Sequence, residues 1–130
     1  MAIILDTNFV IAAEREARRR IPGRAHALLA DHVDDEFFIT FTVAGELACG
    51  TSASARDAWE KLIRPYAMLG WVQEISFAYG EIYRQLAAKG LLIGTNDLWI
   101  AATASFHGFP VVTNNYAEFS RVDHLQVIPY

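Results

Sequence analysis

Two hydrophobic patterns alternate along the chain. Short apolar runs lack polar alternation, and longer stretches carry apolar residues three and four positions apart. Ile3-Ile4-Leu5 is the first run, and it suits a strand buried on both faces of a parallel sheet. Phe37-Phe38-Ile39-Thr40 predicts a second strand, rich in aromatic and β-branched residues. Gly70–Ile75 predicts a third, Pro110–Thr113 a fourth and Leu125–Ile128 a last strand at a sheet edge. Between them the spacing predicts helices over Asn8–Ala13, with Asn8 as cap, and over Ala25 to about His32. Further helices are expected over Val43–Ala48, capped by Thr42, over Arg56–Leu62 and over Phe77–Lys89. Another runs from Thr95 or Asn96 to His107, with a short turn of helix inside Asn114–Arg121. The Thr95–His107 segment is apolar on almost every face, which predicts a deeply packed helix. This alternation predicts an α/β fold, a three-layer α/β/α sandwich around a mostly parallel sheet of four to five strands. One domain is expected to span residues 1–130.

Composition narrows the class. Hydrophobic residues make up 53% of the chain and charged residues 20%, which fits a compact globule and excludes a disordered one. The formal charge of −4 argues against a charge-driven duplex binder. It leaves a nuclease open, because bound cations alter the local balance. Cys49 is the lone cysteine, so no internal disulfide is expected. The sequence contains neither a membrane-length apolar run nor a secretory pattern, and a cytoplasmic protein is expected.

Three acids stand out by context. Asp6 ends the first buried run, where an acid destabilises the fold unless it is paired or holds a cation. In open parallel sheets, ligands gather at the carboxyl ends of strands. Glu46 lies one turn inside the Val43–Ala48 helix, and Asp97 in the first turn of the apolar helix. Each has a plainer reading, as a solvated or dipole-favoured side chain. The polar stretch Thr113-Asn114-Asn115, followed by Glu118, ends the fourth strand; its asparagines suit a turn or a ligand.

Leu-Asp-Thr-Asn at 5–8, Thr-Val-Ala-Gly-Glu-Leu at 42–47, Asn-Asp-Leu-Trp-Ile-Ala-Ala at 96–102 and Val-Val-Thr-Asn-Asn-Tyr-Ala-Glu-Phe at 111–119 occur in that order. Together they resemble the PIN domain, in particular the VapC-type toxins of bacterial toxin–antitoxin pairs, over essentially the whole chain. The resemblance implies that Asp6, Glu46 and Asp97 converge at one end of the sheet and hold Mg²⁺ or Mn²⁺. Carboxylates suit such hard cations, and the scattered histidines and single cysteine offer no zinc site. The resemblance places Asn115 in the catalytic set at a position where Asp is often found. Glu118 is the possible fourth acid in its stead, or a surface residue. Thr7 and Thr113 are expected to support the acids by hydrogen bonding. The implied reaction is hydrolysis of an RNA phosphodiester by an activated water, leaving a 5′ phosphate and a 3′ hydroxyl. Implied partners are an RNA substrate, a small cognate antitoxin and a second copy in a homodimer, with no membrane.

Arg15, Arg18, Arg19, Arg20 and Arg24 form the one basic cluster. It is either a solvated helix end or a phosphate-contacting rim, and it equally suits an acidic antitoxin segment. Trp59, Tyr66, Trp71 and Tyr79 are candidates for an interface or for the core. Rival site patterns fail on specific residues. A haloacid-dehalogenase-type phosphatase needs an acid at position 8, where Asn8 stands, and a receiver domain needs a late lysine, but none follows Lys89. Gly-rich nucleotide loops and Gly-x-Ser-x-Gly are absent. The alternative of another class is a non-catalytic PIN-like module that binds RNA or protein, favoured by Asn115.

Overall fold

The computed structural model describes residues 1–130. In chain order the elements are β1 (Ala2–Leu5), α1 (Thr7–Arg19), α2 (Arg24–Asp31), β2 (Glu36–Thr40), α3 (Phe41–Ala48), α4 (Arg56–Ile63) and β3 (Ala67–Leu69). They continue with α5 (Gln73–Ala88), α6 (Thr95–His107), β4 (Val111–Val112), α7 (Tyr116–Phe119) and β5 (Val127–Ile128). All pairings are parallel, in the order β3-β2-β1-β4-β5, with helices on both sides of the sheet.

The uniform apolar run explains why β1 is central. It pairs with β2 (Ile3 beside Phe37) and with β4 (Leu5 beside Val112), so both edges and both faces are covered. Ile3, Ile4 and Leu5 are fully buried. Each such side chain contributes about 1.5–3 kcal/mol by leaving water. On α6, Leu98, Ile100, Ala101, Ala102, Thr103 and Ala104 are all buried, as the apolar pattern predicts.

Three boundaries differ from expectation for physical reasons. Helix α1 begins at Thr7, not at Asn8, because Asp6 is the cap: its Oδ1 accepts from the Phe9 amide at 2.8 Å. The helix then runs on to Arg19, where Arg20 turns left-handed at φ 56°. Helix α3 begins at Phe41, capped by the Thr40 hydroxyl, which accepts from the Val43 amide. Thr42 is inside that helix and its hydroxyl bonds that of Thr40. The third strand is Ala67–Leu69, and the expected Gly70–Ile75 strand is absent. Ile75 instead joins Ile82 and Leu86 as the buried stripe of α5, and their helical spacing captures Gln73–Ile75 into that helix.

The α1–α2 hairpin is held by a residue without a sequence signal. Gly23 caps α2 but has no side chain to do so. Glu16 of α1 replaces it, accepting from the amides of Gly23, Ala25 and His26 and bonding His26 Nδ1 at 2.7 Å. Burial alone would raise the Glu16 pKa. The bonds from His26, Gly23 and Ala25 outweigh it and lower it to about 2.

Candidate active site at the carboxyl edge of the sheet

The three central strands end in buried polar residues. Asp6 follows β1, Thr40 ends β2 and Thr113 follows β4. Connections leave β1 toward β2 on one side, while β4 lies on its other side, so the chain order reverses between β1 and β4. Parallel sheets open a crevice at such a point, beyond the strand ends.

Asp6 and Asp97 are joined across this crevice. Thr113 Oγ1 donates to Asp6 Oδ2 at 2.6 Å, and it also accepts from the Asn115 amide at 2.9 Å. Asn115 Nδ2 donates to Asp97 Oδ2 at 3.1 Å. Asp97 occupies the first turn of α6, where the helix dipole favours an anion. Glu46 is brought alongside by α3, and its carboxylate accepts from Asn96 Nδ2, the residue before Asp97.

These acids sense one another. Burial raises the Asp6 pKa; the Thr113 hydroxyl and the Phe9 amide pull against it, and the Glu46 charge adds to the rise. Burial likewise raises Asp97. Asn115 opposes this, but the charges of Asp6, Glu118 and Glu46 add to it, and the pKa reaches about 6. Burial is thus the main cause of both shifts, and the neighbouring carboxylates add to it.

The donor set fits a hard divalent cation by chemistry: the crevice gathers carboxylate and amide oxygens. The fit is incomplete in geometry. No three acidic, histidine or cysteine side chains are gathered closely enough to hold an ion in the present arrangement. Asn96 holds one oxygen of Glu46 and Asn115 holds one oxygen of Asp97, which leaves the other oxygen of each without a hydrogen bond.

Asp6, Glu46, Asp97, Thr113 and Asn115 are thus brought together by hydrogen bonds or mutual charge, and Glu118 faces Asp97 closely enough to raise its pKa. Thr7 departs from expectation. It is buried, but its Oγ1 has no hydrogen-bond partner. Arg15, Arg18, Arg19, Arg20 and Arg24 are all exposed and make no hydrogen bond to these acids. The aromatic candidates divide: Trp59, Tyr66 and Tyr79 pack on the core, and only Trp71 stands out, 57% exposed. Two residues are given no role by the sequence pattern: Asn96, which opens the 96–102 motif, and Glu16, which holds the α1–α2 hairpin outside the site. Asn96 has one signal, its place beside Asp97; Glu16 has none.

Fold and site define an α/β protein with a carboxylate-lined crevice at the switch point of a parallel sheet. The PIN domain family profile matches residues 3–125. The chain belongs to the PIN domain family. It is 31% identical over 131 residues to Ribonuclease VapC1 of Haemophilus influenzae (strain R2866), covering 97% of this chain and 96% of that one. It is 29% identical over 130 residues to Ribonuclease VapC2 of Rickettsia felis, covering 96% and 95%. Among solved structures, VapBC-1 from nontypeable H. influenzae matches with TM-score 0.79 and 28% identity, over 99% of this chain and 98% of that chain. DNA-bound VapBC from Salmonella typhimurium shares the fold with TM-score 0.80 at 23% identity, over the same shares.

Proposed function

We propose that this protein is the toxin of a toxin–antitoxin pair and acts as a metal-dependent endoribonuclease. The observation that carries the reading is the convergence of Asp6, Glu46, Asp97 and Glu118 on one crevice, with Asp97 pushed up to about 6 by burial and by the other three. The relatives named ribonucleases match over nearly the whole chain. Asp6, Asp97 and Glu46 would hold Mg²⁺ or Mn²⁺. When bound, such a cation lowers the pKa of an attacking water and neutralises charge on the phosphate.

The chain's own residues prepare that site. Thr113 and the Phe9 amide favour ionised Asp6 at neutral pH, against its burial. Asn115 orients Asp97, and Asn96 orients Glu46. Glu118 keeps a fourth negative charge near Asp97, which favours cation entry. A separate groove of about 830 Å³ opens between α1, α2, α3 and α4, with Ile11, Leu29, Leu47, Leu62 and Tyr66 in its wall and Glu46 at its edge. It suits an apolar antitoxin segment that ends against the site. Exposed Met68, Trp71 and Phe77 around β3 and α5 support a second copy docking there.

One observation favours the non-catalytic reading: no three ligand side chains are gathered at present. Two measurements separate the two. Mn²⁺ should raise the melting temperature of the wild type without substrate, and wild type with Mn²⁺ should cut a structured RNA pool. Asp6→Asn keeps the helix cap and should lose both effects. A wild type that neither responds to Mn²⁺ nor cuts would leave only the binding module.

A further inference from the structure

The carboxylates lie at the carboxyl edge of the sheet. On the side toward α1 and α2 lies a second, polar cleft of about 380 Å³, lined in part by Asn8, Arg15, Arg24, Asn114 and Tyr130. That volume falls within the range of about 300–1,000 Å³ typical of small-ligand sites. None of the four carboxylates lines this cleft, but two of its residues neighbour the site in the chain. Asn8 lies two residues after Asp6, and Asn114 directly follows Thr113, whose hydroxyl holds Asp6. Tyr130 lies just past β5, whose Ile128 carbonyl accepts from the Thr113 amide.

The charges in this cleft are available to a ligand. Neither Arg15 nor Arg24 forms an ion pair within the chain; the arginines that do are Arg18 with Glu14 and Arg56 with Glu60. Glu16 also lines the cleft, but its two oxygens already serve three amides and His26. It therefore stiffens the wall and is not a partner for the arginines. Tyr130 stands edge-on to Phe9, with ring centroids 4.9 Å apart, which holds its ring in the cleft wall. Burial, with the charges of Asp6 and Glu16, pushes its hydroxyl up to about 12, so it remains a donor across the working pH range.

We propose that this cleft is the subsite for one nucleotide of the single-stranded RNA beside the cleaved bond, with Arg15 and Arg24 gripping its phosphate and Asn8 and Asn114 facing its base. The assignment rests on the ribonuclease reading and adds where the strand runs. It divides the basic cluster: Arg15 and Arg24 contact RNA, Arg18 borders the apolar groove, and Arg19 and Arg20 line neither. A planar guanidinium pair matches phosphate oxygens, and side-chain amides can read a base edge once the base is unstacked. A peptide is the weaker fit, because this cleft is small and polar whereas the apolar groove is more than twice its size.

The test is binding of a short fluorescein-labelled single-stranded RNA of mixed sequence, followed by anisotropy in EDTA across a KCl series. The double variant Arg15→Gln/Arg24→Gln should bind roughly 10- to 100-fold more weakly, and its salt slope should fall by about 0.7 for each phosphate no longer neutralised. Arg19→Gln/Arg20→Gln should weaken binding by less than about threefold. Asn114→Asp, which puts an anion in the cleft, should also weaken binding at unchanged melting temperature. Equal weakening in the two double variants would overturn the subsite in favour of diffuse attraction. So would unchanged RNA binding together with abolished poly-glutamate binding, which would make the cleft a peptide site. Metal-free binding separates this from the parent reading. Wild type that binds RNA through Arg15 and Arg24 but never cuts with Mn²⁺ sinks the ribonuclease and keeps the subsite. Wild type that cuts while the double variant binds RNA normally sinks the subsite alone.

Discussion

Replacing Asp97 by Asn should make the metal-free protein more stable while disabling its site. Asp97 has a pKa near 6 in the folded chain against the ordinary value of 3.8. At neutral pH its charge is therefore held in a place that disfavours it. A shift of that size corresponds to about 3 kcal/mol at full weight. Asp97 is only half-buried, and solvent screening reduces the expected gain on neutralisation to about 1–2 kcal/mol. The sign follows from linkage. The folded chain holds the Asp97 proton more tightly than the unfolded chain does, so the unfavourable contribution is complete above about pH 6 and disappears below about pH 4. The assay is urea unfolding of wild type and Asp97→Asn in EDTA, at neutral pH and near pH 4. The variant should be more stable at neutral pH and match wild type in acid. Adding Mn²⁺ at neutral pH should reverse the order, because only wild type gains from the ion. A variant less stable than wild type at neutral pH in EDTA would refute the claim that burial and the neighbouring charges disfavour ionised Asp97. A gain that persisted undiminished in acid would refute the assignment of the raised pKa.

Four further outcomes are expected. Thr113→Val removes a hydrogen bond to a buried carboxylate and strands the Asn115 amide, so stability should fall by about 2–3 kcal/mol in urea unfolding. Thr7→Val removes a buried hydroxyl without a partner and should raise metal-free stability by up to about 1 kcal/mol; a decrease would show that the hydroxyl is bonded. Glu16→Ala should destabilise the α1–α2 hairpin by about 1–3 kcal/mol, read as reduced amide protection at Gly23, Ala25 and His26 in hydrogen exchange. Because the Glu16 pKa is lowered to about 2, that contribution is complete above about pH 4.5 and should vanish as pH falls toward 2. Asn115→Asp should lower the metal-free melting temperature and also lower the Mn²⁺ concentration needed for half of the thermal shift.

How much of the molecule is legible in its residues depends on how local each cause is. The uniform run Ile3–Leu5 identifies the central strand, because only a strand covered on both faces tolerates it. Gly108, at φ 71°, closes α6 where the pattern places its end. The third strand falls outside the expected Gly70–Ile75 because the fate of those β-forming residues is decided at a distance, by Ile75 completing the stripe of Ile82 and Leu86. The acids of the site are legible as strand-end and helix-start residues. Their partners are not: Asn96 acts on Glu46 across fifty positions, and Thr113 acts on Asp6 from the other end of the chain. Glu16 looks like one charge in a charged helix, and only the folded hairpin makes it a cap.

The hydrogen bonds also explain why an amide suits position 115. Asp97, Asn115, Thr113 and Asp6 are linked by donation outward from Asn115, which donates to Asp97 by its side chain and to Thr113 by its backbone, and Thr113 donates on to Asp6. An ionised Asp at 115 can only accept, so it would break the link to Asp97 and add a fifth charge to Asp6, Glu46, Asp97 and Glu118. Asn115 thus keeps Asp97 tied to Thr113 and Asp6 by hydrogen bonds. Glu118, one turn further on, supplies the missing charge from α7 without sitting in the chain of donors. On this reading the departure from an all-acid site moves the fourth charge outward. It leaves Asp6, Glu46, Asp97 and Glu118 as the four carboxylates of the site.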